Sequence, residues 1–448
     1  MKAIEKFEEK FILNYLNNQT NATPEELKEV LKEVQTVLKN SAHGTLEEVV
    51  EGLTIRTDEK IREMISEYPI PGYNIQIDSG DIKTAFYGGT MDDDKNPMKK
   101  DAIFDIASIT KLFTQIITYK LIDEGFFDLD TKVMDVHPSF INAGDMTIRD
   151  LTTFGFSFNM DGRIEEANSV EEAKSILYTL GVNERKYAYT DPNTMALKEI
   201  AEKVTGLDYE DLIAEYVIKK INSNNIYLEV PEDERHLVTG TPNAHRGVNN
   251  DMKAIKMGNA GGNAGILTDS TALKEVLTNL YLNDNFFPKD KLSDVYTESD
   301  ISRKEEMSRG IMGNACVLGG SFVPNLYSLN SSAYQGSTRT QANVGKLGNT
   351  LTTSTTFFNP ASIKLSRAKE LEERLNKKFV KEYEFNDQHY TQISSQMFIP
   401  IPFVRNVNQE IAKLSVQLAF INELKAAYEP NYEKEVKVEL DSNNTRKK

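Results

Sequence analysis

The chain has 448 residues, 39% of them hydrophobic and 27% charged, a composition that supports one large globular unit or two to three smaller ones. Its 52 Lys and Arg against 68 Asp and Glu give a formal net charge of −16. This balance argues against a nucleic-acid-binding surface, which needs clustered Lys and Arg, and against adhesion to an anionic membrane.

Residues 1–55 are predicted to form a helical N-terminal extension. The opening stretch MKAIEKFEEKFILNYL mixes Glu and Lys and lacks the uninterrupted apolar run of a signal peptide, so it predicts an amphipathic helix and a cytoplasmic location. Residues 23–27 (TPEEL) follow the pattern of a helix start, with Thr as the cap and Pro at the first helical position. Because no run of 18 apolar residues occurs, no membrane span is expected.

Residues 56–362 are predicted to form the main domain, which begins with two strands. Residues 70–77 and 82–87 alternate as strands do, and the turn sequence DSGD lies between them. Helical segments fill the middle of the domain. Strands return near residues 313–358, the last of them a Thr- and Phe-rich stretch over 349–358. This order predicts a mixed α/β or α+β body.

Residues 363–430 are predicted to form a charged, helical C-terminal extension. The segment 363–383 (IKLSRAKELEERLNKKFVKEY) indicates a solvated helix. Pro400 and Pro402 interrupt the pattern, and an apolar stripe over 405–428 predicts a last helix that packs on the sheet. Residues 431–448 are polar and predict a flexible tail.

The chain has few of the residues that bind metals. Its single cysteine, Cys316, lies in an apolar setting, which predicts a buried side chain and leaves no disulfide or multi-cysteine metal site. The five histidines form no HExxH or similar spacing, so neither a metal nor another cofactor is expected. Their scarcity also disfavours a Ser–His–Asp triad without excluding it.

A Ser-x-x-Lys motif lies at the start of a predicted helix. Ser108 and Lys111 are three residues apart, so their side chains share one helix face within hydrogen-bond reach. A serine hydroxyl needs a neighbouring base to become a nucleophile, whereas a free lysine, with a pKa of about 10.4, is protonated at pH 7. We expect burial and the helix dipole to lower the pKa of Lys111. Taken alone, the motif also fits an N-cap serine followed by a surface lysine.

The surrounding sequence resembles the serine β-lactamase and penicillin-binding protein superfamily. Residues 104–111 (FDIASITK) match its F-x-I-A-S-x-T-K entry to the nucleophile helix. Residues 121–130 (LIDEGFFDLD) and 146–153 (MTIRDLTT) are similar to stretches of the branch that holds class C β-lactamases, D-alanyl-D-alanine carboxypeptidases and esterases. The resemblance covers roughly residues 60–360. It implies a central antiparallel sheet flanked by helices and an all-helical subdomain, to which this chain adds helices at both ends.

The resemblance also implies a set of catalytic residues. Ser108 would be the nucleophile, and Tyr189, in YTDPN at 189–193, would be the general base that works with Lys111. The backbone N–H groups of Ser108 and Ser337 would form the oxyanion hole. The family's third motif falls on YQG at 334–336, and an arginine replaces a glycine shortly after it. The implied substrate-binding residues are Asp191, Tyr334, Gln335, Gly336 and Arg339.

Two departures from the family pattern indicate the substrate class. Tyr334 replaces the cationic or imidazole residue that relatives use near a substrate carboxylate, and tyrosine carries no positive charge. Asp191 replaces the Asn of the Tyr-x-Asn element, adding a negative charge that favours the ammonium form of Lys111 and repels anions. Both changes favour an esterase or amidase that acts on a small neutral ester, amide or peptide.

Three hypotheses follow for the function. The leading one is a serine hydrolase that forms an acyl-enzyme on Ser108. The second is a penicillin-binding D-alanyl-D-alanine carboxypeptidase or β-lactamase-type enzyme whose export information is missing. The third is a catalytically inactive binding protein that keeps the fold. The sequence does not specify the oligomeric state.

Overall fold

The computed structural model describes residues 24–40, 45–68, 70–92, 94–160, 163–186, 188–240, 246–281, 286, 332–347, 350–359, 365–394 and 399–428. The predictions for the N-terminal amphipathic helix, Cys316, the strand region 313–331 and the tail lie outside these residues. Within them the chain forms twelve α-helices and ten β-strands, and none of these helices has the length and apolarity needed to cross a membrane.

A five-stranded antiparallel sheet forms the centre of the molecule. Its strand order is β2-β1-β8-β7-β6, and the strands are β1 (Gly72–Ser79), β2 (Ile82–Gly89), β6 (Ser332–Gln335), β7 (Thr340–Leu347) and β8 (Thr350–Phe358). Central strand β1 pairs Ile75 with Phe86 of β2 and with Thr356 of β8. The strands predicted at 70–77, 82–87 and 349–358 are therefore confirmed, with ends that shift by one or two residues.

Two smaller sheets accompany the central one. The first contains β3 (Ile103–Asp105), β4 (Ile226–Tyr227) and β5 (Leu267–Asp269), in the order β3-β5-β4. The second is a hairpin of β9 (Val380–Phe385) and β10 (Gln388–Ile393). Strand β3 leads directly into the predicted nucleophile, so the first of these sheets positions the Ser108 segment.

Alternation along β1 assigns the two faces of the central sheet. Ile75 and Ile77 belong to a hydrophobic cluster with the terminal helices, which are α1 (Pro24–Asn40), α2 (Leu46–Ser66) and α12 (Ile401–Tyr428). Gln76, between them, faces the opposite side and accepts a hydrogen bond from Thr271 of α10 (Ser270–Tyr281). Because side chains alternate across a strand, β1 contacts the terminal helices on one face of the sheet and α10 on the other.

Short helices form a compact layer on the second side of the sheet. They surround α3 (Thr110–Asp123), whose side chains are buried on nearly every face, and share its cluster of hydrophobic residues. The side chains of this helix are buried whether apolar or polar, so the helix lies inside the core. The other helices of this layer and its surroundings are α4 (Val133–Val136), α5 (Ile148–Thr153), α6 (Val170–Tyr178), α7 (Asp191–Thr205), α8 (Tyr209–Tyr216) and α9 (Met252–Lys256). The mixed helix and antiparallel-sheet architecture is the predicted one.

The C-terminal segment corrects one prediction. Residues 363–383 do not form one helix, because α11 (Leu365–Leu375) ends before Asn376, a residue with a positive φ of 49°. The chain then forms the β9–β10 hairpin, whose two turn residues, Asn386 and Asp387, have φ of 49° and 58°. Two residues with positive φ are typical of a type I′ hairpin turn, and Asn and Asp tolerate them better than most residues.

Candidate active site

A tight turn presents Ser108 at the start of α3. The turn is a single 3₁₀ segment, Ala107–Ile109, between β3 and the helix. Ala107 has a φ of 45°, a left-handed conformation that is uncommon without glycine. Its N–H donates to Asp105 Oδ1 at 2.8 Å, which holds this conformation. Ser108 is thereby left partly exposed at the positive end of the helix dipole.

Lys111 joins the nucleophile to two neighbouring segments. Its side chain is fully buried, and Nζ donates to Ser108 Oγ at 3.0 Å and to the carbonyl oxygen of Asn263, also at 3.0 Å. Nζ lies 2.8 Å from Asp191 Oδ1, at the start of α7. The Ser-x-x-Lys spacing therefore produces the contact that we predicted from it.

The charges around Lys111 determine its protonation. Burial by itself would lower the pKa of Lys111, but the carboxylate of Asp191 and a smaller contribution from Tyr189 raise it above its ordinary value. Burial would likewise raise the pKa of Asp191, yet the ammonium groups of Lys111 and Lys253 lower it to about 2. The lowered pKa that we expected for Lys111 is therefore wrong, because burial is outweighed by an ion pair. In the resting site Lys111 is an ammonium group.

Tyr189 also lies beside the lysine. Lys111 Nζ is 5.0 Å from the centroid of the Tyr189 ring, within the range of a cation–π contact. The ring also packs against Phe154, with centroids 5.1 Å apart, and Tyr189 is 37% exposed. Lys111 thus contacts both Ser108 and Tyr189, and these two residues line the same cleft.

An ion-pair chain continues from Asp191 to the molecular surface. Asp191 Oδ2 lies 3.3 Å from Lys253 Nζ, which lies 3.2 Å from Glu165 Oε1. Glu165 Oε2 lies 3.3 Å from Nζ of Lys381, on β9. Sequence analysis missed Lys253 and Glu165, since nothing in their local sequence indicates that they approach Asp191.

Asp105 is a further site residue that sequence analysis missed. It is buried, and Oδ2 accepts the backbone N–H of Asn250 at 2.6 Å while Oδ1 holds Ala107. Burial raises its pKa to about 6, although these two backbone hydrogen bonds oppose the rise. A signal was present, since Asp105 is the lone charge in the apolar stretch 102–109 (AIFDIASI).

The predicted oxyanion residues lie on either side of the site. Gly336 begins a turn that brings Ser337 to the same cleft as Ser108. A Cβ at Gly336 would lie 2.5 Å from the carbonyl oxygen of Ile106, so only glycine permits this approach. Within the residues that the structure describes, the backbone N–H groups of Ser108 and Ser337 donate to no other group. Their joint role as an oxyanion hole stays a prediction.

The remaining predicted binding residues lie on β6 or in the turn that follows it. Tyr334 and Gln335 lie on β6, opposite Ala342 and Gln341 of β7, and their substrate contacts stay predictions. Arg339 has a φ of 66°, a left-handed conformation that glycine adopts more readily than other residues. Its Nε donates to the carbonyl oxygen of Ile399 at 2.8 Å, so the guanidinium is directed to the start of α12. The structure does not place Arg339 among the residues that line the cleft.

A cleft of about 420 Å³ opens over Ser108, a size that suits a small organic substrate. The nucleophile turn, the start of α7, the Ser337 turn and the C-terminal hairpin all contribute to its walls. The hairpin contribution was absent from the sequence prediction. The lining residues are Asp105, Ala107, Ser108, Tyr189, Asp191, Asn250, Asp251, Ser337, Thr338, Lys378, Phe379, Lys381, Gln392, Ile393 and Ser394. Among the described residues no group of three or more His, Cys, Asp or Glu side chains could hold a metal ion.

Comparison with known proteins gives a family and a fold. The family model described as Beta-lactamase matches residues 57–315, which is more than half of the chain. No curated protein matches.

Solved structures with this fold have low sequence identity to the chain. Unliganded simvastatin synthase (LovD) from Aspergillus terreus has a TM-score of 0.59 and 15% identity, covering 81% of this chain and 97% of its own. The hydrolase EstCE1, described as having promiscuous acyltransferase activity, has a TM-score of 0.56 and 13% identity, with coverages of 68% and 94%. The octameric penicillin-binding protein homologue from Pyrococcus abyssi has a TM-score of 0.53 and 19% identity, with coverages of 72% and 77%. At these identities the likeness shows the fold alone.

Proposed function

The chain belongs to the beta-lactamase family, and we propose that it is a serine hydrolase that cleaves small esters, amides or peptides through an acyl-enzyme on Ser108. One observation carries the proposal. Ser108 Oγ lies 3.0 Å from Nζ of the buried Lys111, at the base of an open cleft. A serine that only caps a helix would not need a buried, ion-paired lysine beside it.

The electrostatics favour Tyr189 over Lys111 as the proton acceptor. Lys111 is held as an ammonium by Asp191, so it lacks a free lone pair. The same ammonium group lies 5.0 Å from the centroid of the Tyr189 ring, so the phenol side chain is next to the Ser108–Lys111 pair. We assign to Tyr189, acting as a phenolate, the uptake of the Ser108 proton and to Lys111 the orientation of the Ser108 hydroxyl.

The reaction then follows two balanced steps. Ser108 Oγ bonds to the substrate carbonyl carbon as its proton passes to Tyr189, and the N–H groups of Ser108 and Ser337 stabilise the oxyanion. The bond to the leaving alcohol or amine breaks, and that group takes the proton. Water attacks the acyl-enzyme by the same route and releases the acid and free Ser108.

One of the two arguments for a neutral substrate, the negative charge of Asp191, does not hold in the structure. We expected Asp191 to repel anions, but its charge is balanced by Lys111 at 2.8 Å and Lys253 at 3.3 Å. The replacement of a cationic residue by Tyr334 still argues against a substrate carboxylate beside that position. The proposed reaction itself is independent of this charge.

Hydrolysis of 4-nitrophenyl hexanoate by matched serine variants tests the proposal. Ser108→Ala should lower kcat/KM by about 10³-fold or more, the scale seen when a catalytic nucleophile is removed. Ser337→Ala is the control, because it keeps the backbone N–H and should stay within about threefold of wild type. Equal rates for wild type and Ser108→Ala would contradict the proposal.

A further inference from the structure

The C-terminal hairpin forms one wall of the cleft over Ser108. Three of the residues that line the cleft belong to the hairpin, Lys381, Gln392 and Ile393, and three flank it directly, Lys378, Phe379 and Ser394. Phe379 and Ile393 are buried, whereas Lys378 and Lys381 are exposed. A substrate bound at Ser108 would therefore face both apolar and cationic groups on this side.

The hairpin is fixed to the rest of the molecule. Phe385 and Tyr390 share a hydrophobic cluster with Met252 and Ile255 of α9. The Nζ of Lys256 lies 4.3 Å above the Phe385 ring. These contacts place the wall at a defined position relative to the nucleophile, so its side chains can discriminate between substrates.

The backbone that carries Lys378 is held as well. Glu372 Oε1 accepts the N–H groups of Phe379 and Val380, at 2.6 and 2.8 Å. The positive charge of Lys378 helps to lower the pKa of Glu372, behind these two hydrogen bonds in size, yet the two side chains form no ion pair. Glu372 thus fixes the backbone beside Lys378 through hydrogen bonds to Phe379 and Val380 and not through an ion pair with Lys378.

Lys378 differs in its ion pairing from the other lysines in and near the cleft. Lys111 pairs with Asp191, Lys253 pairs with Asp191 and Glu165, and Lys381 pairs with Glu165. Over the described parts of the chain, Lys378 is the cleft-lining lysine that forms no ion pair. An anion on the substrate would not have to displace a protein carboxylate to reach it.

We propose that Lys378 binds a carboxylate at the far end of the acyl group, so that the enzyme prefers acyl chains ending in a carboxylate over neutral chains of equal length. This inference rests on the proposed function. Phe379 and Ile393 beside the lysine supply the apolar contact that a short alkyl chain needs. A flexible lysine provides a point charge that suits a carboxylate without demanding a fixed geometry.

Two esters of equal chain length test the inference in the full-length protein. Mono-(4-nitrophenyl) adipate ends in a carboxylate, and 4-nitrophenyl hexanoate ends in a methyl group. Wild type should show a kcat/KM about 2- to 5-fold higher for the adipate, the effect of one partly exposed ion pair. Lys378→Gln should abolish this preference and leave hexanoate hydrolysis within about twofold. Raising the salt concentration should weaken the preference in wild type and not in the variant.

Lys377→Gln is the matched control. Lys377 is an exposed neighbour that does not line the cleft, so the same loss of charge should change neither rate. A wild type without adipate preference, or an equal fall of both rates in Lys378→Gln, would overturn the inference while the proposed function stands. Failure to hydrolyse either ester above the Ser108→Ala rate would overturn both.

Discussion

At the scale of single residues, the ion pair between Lys111 and Asp191 determines how the site can work. A family-like asparagine at position 191 would leave the buried Lys111 without a balancing charge, and its pKa would be free to fall with burial. The aspartate present here holds the proton on the lysine. We propose that this one substitution relative to the family pattern leaves the acceptor role to Tyr189 alone and makes Lys111 an electrostatic support.

Asp105 gives a prediction for the pH dependence. As pH falls through about 6, the Asp105 carboxyl gains a proton, and one of its two acceptor oxygens becomes a donor. The N–H groups of Ala107 and Asn250 then lose part of their hydrogen bonding, and the nucleophile turn loosens. Asp105→Asn makes a similar change at every pH. The ratio of wild-type to variant kcat/KM should be about 10 at pH 8 and approach one at pH 5.

Groups that titrate equally in wild type and variant cancel in this ratio of kcat/KM values, so its pH dependence reports on Asp105 alone. Asp101→Asn is the control, because Asp101 is exposed and lies four residues away, and its ratio should stay near one at every pH. A ratio for Asp105→Asn that is constant between pH 5 and pH 8 would show that the charge of Asp105 does not hold the turn.

At the scale of secondary-structure elements, local patterns predicted the strands and the nucleophile helix. Residues 70–87 alternate and contain a glycine turn, and one face of α3 is apolar behind Ser108, so short-range rules sufficed. The β9–β10 hairpin was missed because its charged residues, such as Lys381 and Glu382, were interpreted as a helix surface. The burial of its two end residues, Val380 and Phe385, depends on packing against α11 and α9 respectively, which only the fold brings together.

Some residues of the candidate site could be predicted from the sequence, and others could not. Ser108 and Lys111 are joined by helix geometry, so their contact follows from a spacing of three. Tyr189 and Ser337 followed from the resemblance to a family. Lys378 reaches the cleft, and Lys253 and Glu165 join the ion pairs of Asp191, through tertiary packing alone. Their local sequences carry no sign of it.

At the scale of the whole molecule, both ends of the chain share one core. Leu53 of α2 and Leu414 of α12 belong to the same hydrophobic cluster as Ile75 of the central sheet. The terminal helices therefore cover a face of the sheet that would otherwise expose apolar side chains. We expect them to unfold together with it.

A substitution that creates a cavity in the N-terminal helices tests whether these helices and the sheet unfold together. Leu53 is 1% exposed, and Leu53→Ala should lower the free energy of unfolding by about 2–4 kcal/mol through lost burial and the remaining cavity. Urea unfolding followed by far-UV and near-UV circular dichroism should show one shifted transition. Ile55→Ala, at a position that is 50% exposed, should change stability by less than about 0.5 kcal/mol. A separate early transition in Leu53→Ala would show that the extension unfolds independently.

The central claim is that Ser108 is a nucleophile because Lys111 and Tyr189 surround it. Labelling of the folded protein with a fluorophosphonate probe, followed by peptide mass spectrometry, tests it most directly. We predict a single modified site at Ser108, no labelling of Ser108→Ala, and much slower labelling of Lys111→Ala and Tyr189→Phe. A folded wild-type protein that takes up no probe, or takes it up at another residue, would contradict the account.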